Sequence, residues 1–235
     1  IARVTGIMAS AETIVISVGG SLIVPEEIDT LFLKTLKALI EKHIGRGERF
    51  VIIAGGGRTA RKYQNAANAV SGLVREDVDW LGIHATRLNA HLLRAIFYKH
   101  AHPVIIKDPT RKITAQNKVF IAAGWKPGWS TDYDAVLIAK NLGAKKVINL
   151  SNIDYVYTAD PRKDKKATPI KEISWKDFRA MIPKEWDPGL SAPFDPVASK
   201  KAESLGLEVA ILNGKKLGEL EKYLAGKKFV GTIIR

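Results

Sequence analysis

"VIIAGGGRTAR", residues 51–61, runs four apolar residues into three glycines and sets two arginines and a threonine in the next four positions. A buried strand that ends in backbone without side chains can deliver an anion to the start of a helix, because exposed amides approach phosphate oxygens closely there. Arg58 and Arg61 suit the same ligand. Upstream, "TIVISV" (13–18) reads as a β-branched strand ending at Gly19 and Gly20. Asp29 then caps a helix whose apolar Leu33, Leu36, Ile40 and Ile44 precede a stop at Gly45. The strand "RFVIIA" (49–54) follows at once. Strand, helix, strand, with glycines at the carboxyl end of both strands, is the crevice arrangement of a parallel α/β sheet.

The alternation continues along the chain. Helices are expected near Thr59–Val70, from about Val78 to His100, and from about Thr131 to Leu142 behind a Ser130 cap. Strands are expected at "PVIIK" (103–107), "KVFIAAG" (118–124), "KVINLS" (146–151) and "EVAILN" (208–213). "DYVYTADP" reads as a short hairpin region running into a Pro/Lys-rich loop. Asp195 caps a helix with Pro196 in its first turn, and "FVGTIIR" closes the chain. There is no internal repeat and no low-complexity linker. The fold expected is α/β: a three-layer αβα sandwich around a mainly parallel central sheet. Residues 11–235 are read as one domain, and residues 1–10 as an N-terminal extension, partly cloning-derived, around Met8.

With 235 residues and 46% hydrophobic content, the chain can bury a substantial core. No stretch reaches the roughly 18 uninterrupted apolar residues of a membrane span, and no signal-peptide pattern opens the sequence. A cytoplasmic protein is expected. The lack of cysteine excludes disulfides, thiolate metal sites and thiol nucleophiles, and fits a reducing compartment. A formal net charge of +13 favours phosphorylated or polyanionic partners. The basic residues are dispersed, however, and no nucleic-acid-binding module is recognisable, so nucleic acid is not the partner expected.

Neither glycine cluster is a Walker loop, and "GGSLIV" lacks the dinucleotide fingerprint. Each alone reads equally as a tight turn. A third glycine- and hydroxyl-rich turn, "GWKPGWSTD" (124–132), also joins a strand to a helix, and this repetition favours phosphate. Within it Asp132 can orient cations or donors around a transferring phosphoryl group, or serve the helix cap. Asp154 and Asp160 can hold a nucleotide or Mg²⁺, or stabilise turns. His84 and His91 share a helix face without a third ligand, and no protein metal-ligand set is assigned.

The ordered set "ISVGGSL", "VIIAGGGRTARKY", "DWLGIHATRLNAHLL", "GWSTDYDAV", "SNIDYVYTADPRKD" and "FDPVASKKAESLG" resembles the amino acid kinase superfamily, and within it the uridylate (UMP) kinases of archaeal and bacterial type. The D-x-x-G-I-x-A-T-x-x-N run carries the narrower likeness. The resemblance implies Mg²⁺- and ATP-dependent phosphorylation of UMP in pyrimidine nucleotide biosynthesis, by a homohexamer. An N-terminal part would bind the acceptor and a C-terminal part ATP.

Position by position, the resemblance implies that Gly56 and Gly57 approach the UMP phosphate and that Arg61 pairs with it. Asp79 would bind the ribose hydroxyls, and Ser130 and Thr131 would hold UMP. Asp132 would stand near the phosphates, and Gly19 and Gly20 would lie against those of ATP. Asn152, Tyr157 and Asp160 would contact the ATP nucleoside. Ser17 stands where many bacterial relatives carry lysine, so the cation there would come from Arg58 or Lys62. Tyr155 replaces the glycine of the family's "DGVYTADP". Trp125 and Trp129 can stack on the pyrimidine or pack a subunit contact. The other readings are a different phosphotransferase of the superfamily, or a nucleotide-binding or storage protein that kept the fold without turnover.

Overall fold

The computed structural model describes residues 13–184 and 192–235; the extension expected over 1–10 lies outside them. The chain forms β1 (Thr13–Val18), α1 (Gly20–Ile23), α2 (Thr30–Ile44), β2 (Arg49–Ala54), α3 (Gly57–Ser71) and α4 (Arg75–Ile96). Next come β3 (Val119–Ala122), α5 (Thr131–Leu142), β4 (Lys146–Ser151), β5 (Val156–Tyr157), β6 (Pro169–Ile170) and β7 (Glu172–Ile173). The chain closes with α6 (Trp175–Met181), α7 (Pro196–Ser204), β8 (Glu208–Asn213), α8 (Leu217–Leu224) and β9 (Thr232–Ile234).

The expected caps are in place: Asp29 accepts from the Phe32 amide, Ser130 from Tyr133 and Asp195 from Ala198. Each satisfies an amide that a helix start leaves without an intrahelical partner.

Seven strands form one sheet in the order β3-β2-β1-β4-β8-β9-β7. β3, β2, β1, β4 and β8 run parallel, with Val18 opposite both Ala54 and Leu150, and β9 enters antiparallel to β8. Strand order steps outward from β1 to β3 in one direction and from β4 to β8 in the other. The switch therefore falls between β1 and β4, where an open parallel sheet leaves a crevice at its carboxyl edge.

The sheet is covered on both faces, so its central strands are continuous apolar runs whose side chains alternate between two cores. Ile16, Ile52 and Ile148 face α2, α4 and α8, whereas Val15, Val51 and Val147 face α5, α6 and α7. This is the three-layer sandwich expected from the sequence. Fully buried aliphatic side chains such as these contribute about 1.5–3 kcal/mol each.

One element differs. "PVIIK" is not a strand: its neighbourhood touches β3 through isolated bridges at Ala101–Val119 and Ile106–Ala122. Pro103 has no amide to donate, and the Val104 amide turns to His102 Nδ1, so the ladder breaks between the two bridges. The short helices α1, α6 and α8 are additions to the sequence reading.

Candidate active site

The two glycine turns meet at the switch point and pack against each other. A Cβ on Gly20 would overlap the Gly57 amide nitrogen, and one on Gly57, whose φ is +63°, would overlap the Gly20 carbonyl. Part of the glycine requirement is therefore the close approach of two loops, which no side chain tolerates. Gly19 donates its amide to Leu150 O at 2.8 Å, tying the β1 turn to the end of β4. The amides of Gly56 and Gly57 donate to no acceptor among the described residues. They stand at the start of α3, where an anion can satisfy them.

Asp132 lies at the centre. Its Oδ1 accepts from Ser17 Oγ and Asn149 Nδ2, both at 3.1 Å, and its Oδ2 from the Asp195 amide at 3.3 Å. The residue is only half-buried, but its carboxyl points inward to these donors. Desolvation, and then the charge of Asp195, push the Asp132 carboxyl up to about 7. Asp195 is raised as well, chiefly by desolvation, which the Ala198 amide and Ser130 partly offset, and its buried Oδ2 makes no hydrogen bond among the described residues. Asp134, fully buried one helical step away, accepts from the Trp125 amide at 3.1 Å and is raised to about 8, mainly by desolvation.

Helix α4 straps the neighbouring loops. Asp79 Oδ2 accepts from the Gly128 amide at 2.8 Å, Thr86 Oγ1 from the Gly124 amide at 2.8 Å, and Arg87 Nη2 donates to Trp125 O at 3.0 Å. Asn89 Nδ2 donates to Gly55 O at 2.8 Å and Gly56 O at 3.2 Å. Positions 79, 82, 86 and 89 share one helix face; a Cβ on Gly82 would press on the Gln64 side chain, and one on Gly56 would come within 3.4 Å of the Gly82 carbonyl. The D-x-x-G-I-x-A-T-x-x-N run is thus a clamp on two loops. Thr86, Arg87, Asn89, Asn149 and Asp195 were not singled out from sequence as site residues. The spacing of polar residues on one face of an otherwise amphipathic helix is the available signal for Thr86 and Asn89.

The cations divide into held and free. Arg58 pairs with Glu26 at 3.1 Å and Lys62 with Glu27 at 3.1 Å, whereas Arg61 is exposed with no ion pair among the described residues. Ser130 caps α5 beside half-buried Thr131.

Across the switch point, Asp154 accepts from Asn213 Nδ2 at 2.9 Å and Lys216 Nζ at 2.8 Å, joining the loops after β4 and β8. Asn152 is exposed, and Tyr157 is half-buried, edge-on to Tyr155. Asp160 grips Arg162 through both carboxylate oxygens at 3.0 Å, and this hydrogen-bonded partner holds its carboxyl below the usual range. A cavity of ≈ 590 Å³ lies between α2 and α8, lined by Ser21, Asp29, Phe32, Lys215 and Lys216 among others. No group of three metal-ligating side chains occurs among the described residues, nor a helix long and apolar enough to cross a membrane.

Comparison with known proteins identifies the family. Residues 12–213 match the amino acid kinase family. The chain is 35% identical over 224 residues to the uridylate kinase of Methanocorpusculum labreanum, covering 94% of each protein. It is 34% identical over 227 residues to that of Hyperthermus butylicus, covering 94% of this chain and 97% of the relative. The crystal structure of uridylate kinase from Archaeoglobus fulgidus superposes with a TM-score of 0.78 at 28% identity, over 95% of this chain and 100% of the other. The chain belongs to the amino acid kinase family.

Proposed function

We propose that this amino acid kinase family member is a UMP kinase, which transfers the γ-phosphoryl group of ATP to the phosphate of UMP to give UDP and ADP. An oxygen of the UMP phosphate forms the new bond to the γ-phosphorus as the bond to the β,γ-bridging oxygen breaks. The observation that carries this reading is the meeting of two glycine turns and the Asp132–Asp195 pair at one switch point. Such transfer needs in-line positioning and charge neutralisation more than covalent help.

The first part of the chain supplies the acceptor side. The free amides of Gly56 and Gly57 and the unpaired Arg61 would take the UMP phosphate, the guanidinium in bidentate fashion. Ser130 and Thr131 would border the acceptor. Asp79, with one oxygen committed to Gly128, would face the ribose. Gly19 and Gly20 would lie against the ATP phosphates, and Asn152, Tyr157 and Asp160 would contact its nucleoside. Arg58 would reach the transferring group by leaving Glu26.

A bare carboxylate beside a phosphoryl group is repulsive, so Asp132 requires a proton or a cation. The buried, unpartnered Asp195 Oδ2 beside a desolvated Asp132 fits Mg²⁺, which takes one or two carboxylates together with substrate phosphates. Asp132 and Asp195 would hold it, and it would neutralise charge on the phosphoryl oxygens. The cysteine-free sequence supports a cytoplasmic setting. Exposed Tyr63 and Val70 on α3 support assembly, proposed here as a homohexamer.

An acceptor panel tests the reading. ATP consumption with Mg²⁺ is measured against UMP, CMP, dUMP, aspartate, glutamate, carbamate and isopentenyl phosphate. Turnover selective for UMP is expected. Turnover confined to a non-nucleotide acceptor would replace it with another phosphotransferase, and ATP binding without turnover would leave a binding protein.

A further inference from the structure

We infer that the aromatic ladder Trp125, Trp129 and Tyr133 is a stacking platform for the acceptor's pyrimidine base, and so a determinant of which nucleoside monophosphate is phosphorylated. The inference rests on the UMP kinase reading and gives it a base-recognition element.

The rings are arranged unequally. Trp129 and Tyr133 stack in contact, with centroids 4.3 Å apart at 23°, whereas Trp125 faces Trp129 at 6.3 Å and 27°. The wider, half-exposed Trp125–Trp129 pair is the part of the ladder on which a base can stack. Tyr133 is anchored against the core on the α5 side, but Trp125 and Trp129 belong to neither core cluster and remain half-exposed. Lys126 Nζ lies 4.1 Å from the Trp125 centroid, a cation–π contact that a base would displace or join.

The ladder is held in place. Asp134 takes the Trp125 amide, Arg87 the Trp125 carbonyl, Thr86 the Gly124 amide and Asp79 the Gly128 amide. Fixing a loop in advance lowers the ordering cost of binding. It is also close to the phosphate turn. A Cβ on Gly56 would meet Gly82 and Ala85 of α4, and one on Gly124 would meet the adjacent Ile83 and Thr86, while Asn89 and Thr86 hydrogen-bond Gly56 O and the Gly124 amide. Neighbouring positions of α4 therefore border both the amides offered to phosphate and the loop that carries the rings offered to a base. This juxtaposition suits a nucleoside monophosphate better than a bare anion.

The test compares UMP with ribose 5-phosphate, which has the same sugar and phosphate but no base, by titration calorimetry on the full chain. Wild type, Trp125→Leu, Trp129→Leu and Trp129→Phe are measured, with particle mass followed by light scattering. Loss of base stacking should weaken UMP binding about 10-fold in each Leu variant. Ribose 5-phosphate affinity should stay level, which also reports an intact fold. Phe at 129 should restore most of the UMP affinity, and the kinetic loss should fall on KM more than on kcat. Equal weakening of both ligands, or unchanged UMP affinity in both Leu variants, would overturn the inference. A changed particle mass with unchanged UMP affinity would assign the rings to a subunit contact instead. Wild type that binds no UMP would remove the function reading and the platform together, whereas UMP binding indifferent to both Leu changes removes the platform alone.

Discussion

Arg61 stands apart from its neighbours: Arg58 and Lys62 are held by Glu26 and Glu27, while Arg61, on the first turns of α3, is exposed with no ion pair among the described residues. A bidentate charged contact of this kind contributes about 1.5–3 kcal/mol. Arg61→Ala should accordingly raise the KM for UMP by roughly 10- to 150-fold. The KM for ATP should barely move in steady-state kinetics, and equal losses for both nucleotides would count against the placement. Asp134 makes a different prediction. Its folded-state pKa of about 8 lies above the ordinary value of 3.8, so the fold binds a proton that the unfolded chain has released. The resulting stability is present below about pH 4 and is lost as pH rises through 8. Asp134→Asn should therefore make the unfolding free energy decline less steeply between pH 5 and 9, as measured by urea denaturation. An unchanged slope would contradict a neutral buried carboxyl. Arg61 could be read from its motif. The partners of Ser17 and Asp134 could not, because each reaches across the fold to a residue on another element.

At the scale of elements, α4 holds the two loops proposed to bind the acceptor. The sequence predicts this helix and its motif and assigns Asp79 to the ribose, and it gives no role to Thr86, Arg87 or Asn89. A repeat of polar residues on one helix face shows that the face is occupied without showing by what. Only the β2–α3 and β3–α5 loops lying across it reveal a clamp. Asn89→Ala would leave the buried Gly55 carbonyl without its donor, at a cost of about 1–3 kcal/mol. The variant should unfold at a lower urea midpoint and bind UMP more weakly while retaining ATP binding. Wild-type stability and affinity would show that α4 is a bystander. The failed strand at 103–107 has a local cause: apolar, β-branched composition announced a strand, but Pro103 and the His102 side chain interrupt the ladder.

Across the whole molecule, the αβα architecture was legible because glycines recur at strand ends and apolar runs alternate with amphipathic helices. The position of the site followed from strand order, which sequence could suggest only through the likeness of ordered motifs. The switch between β1 and β4 brings Ser17, Asn149, Asp132 and Asp195 together although they span 178 positions. The loops proposed to bind the acceptor lie on the β2–β3 side and the joined loops of β4 and β8 on the other, so transfer across the midline is the central claim. The most direct measurement is mass spectrometry of the products formed from UMP and ATP labelled with ¹⁸O at the γ-phosphoryl group. Label in the terminal phosphoryl of UDP, with unlabelled ADP, is the expected result. Label released only as inorganic phosphate, or intact ATP bound beside unreacted UMP, would contradict it.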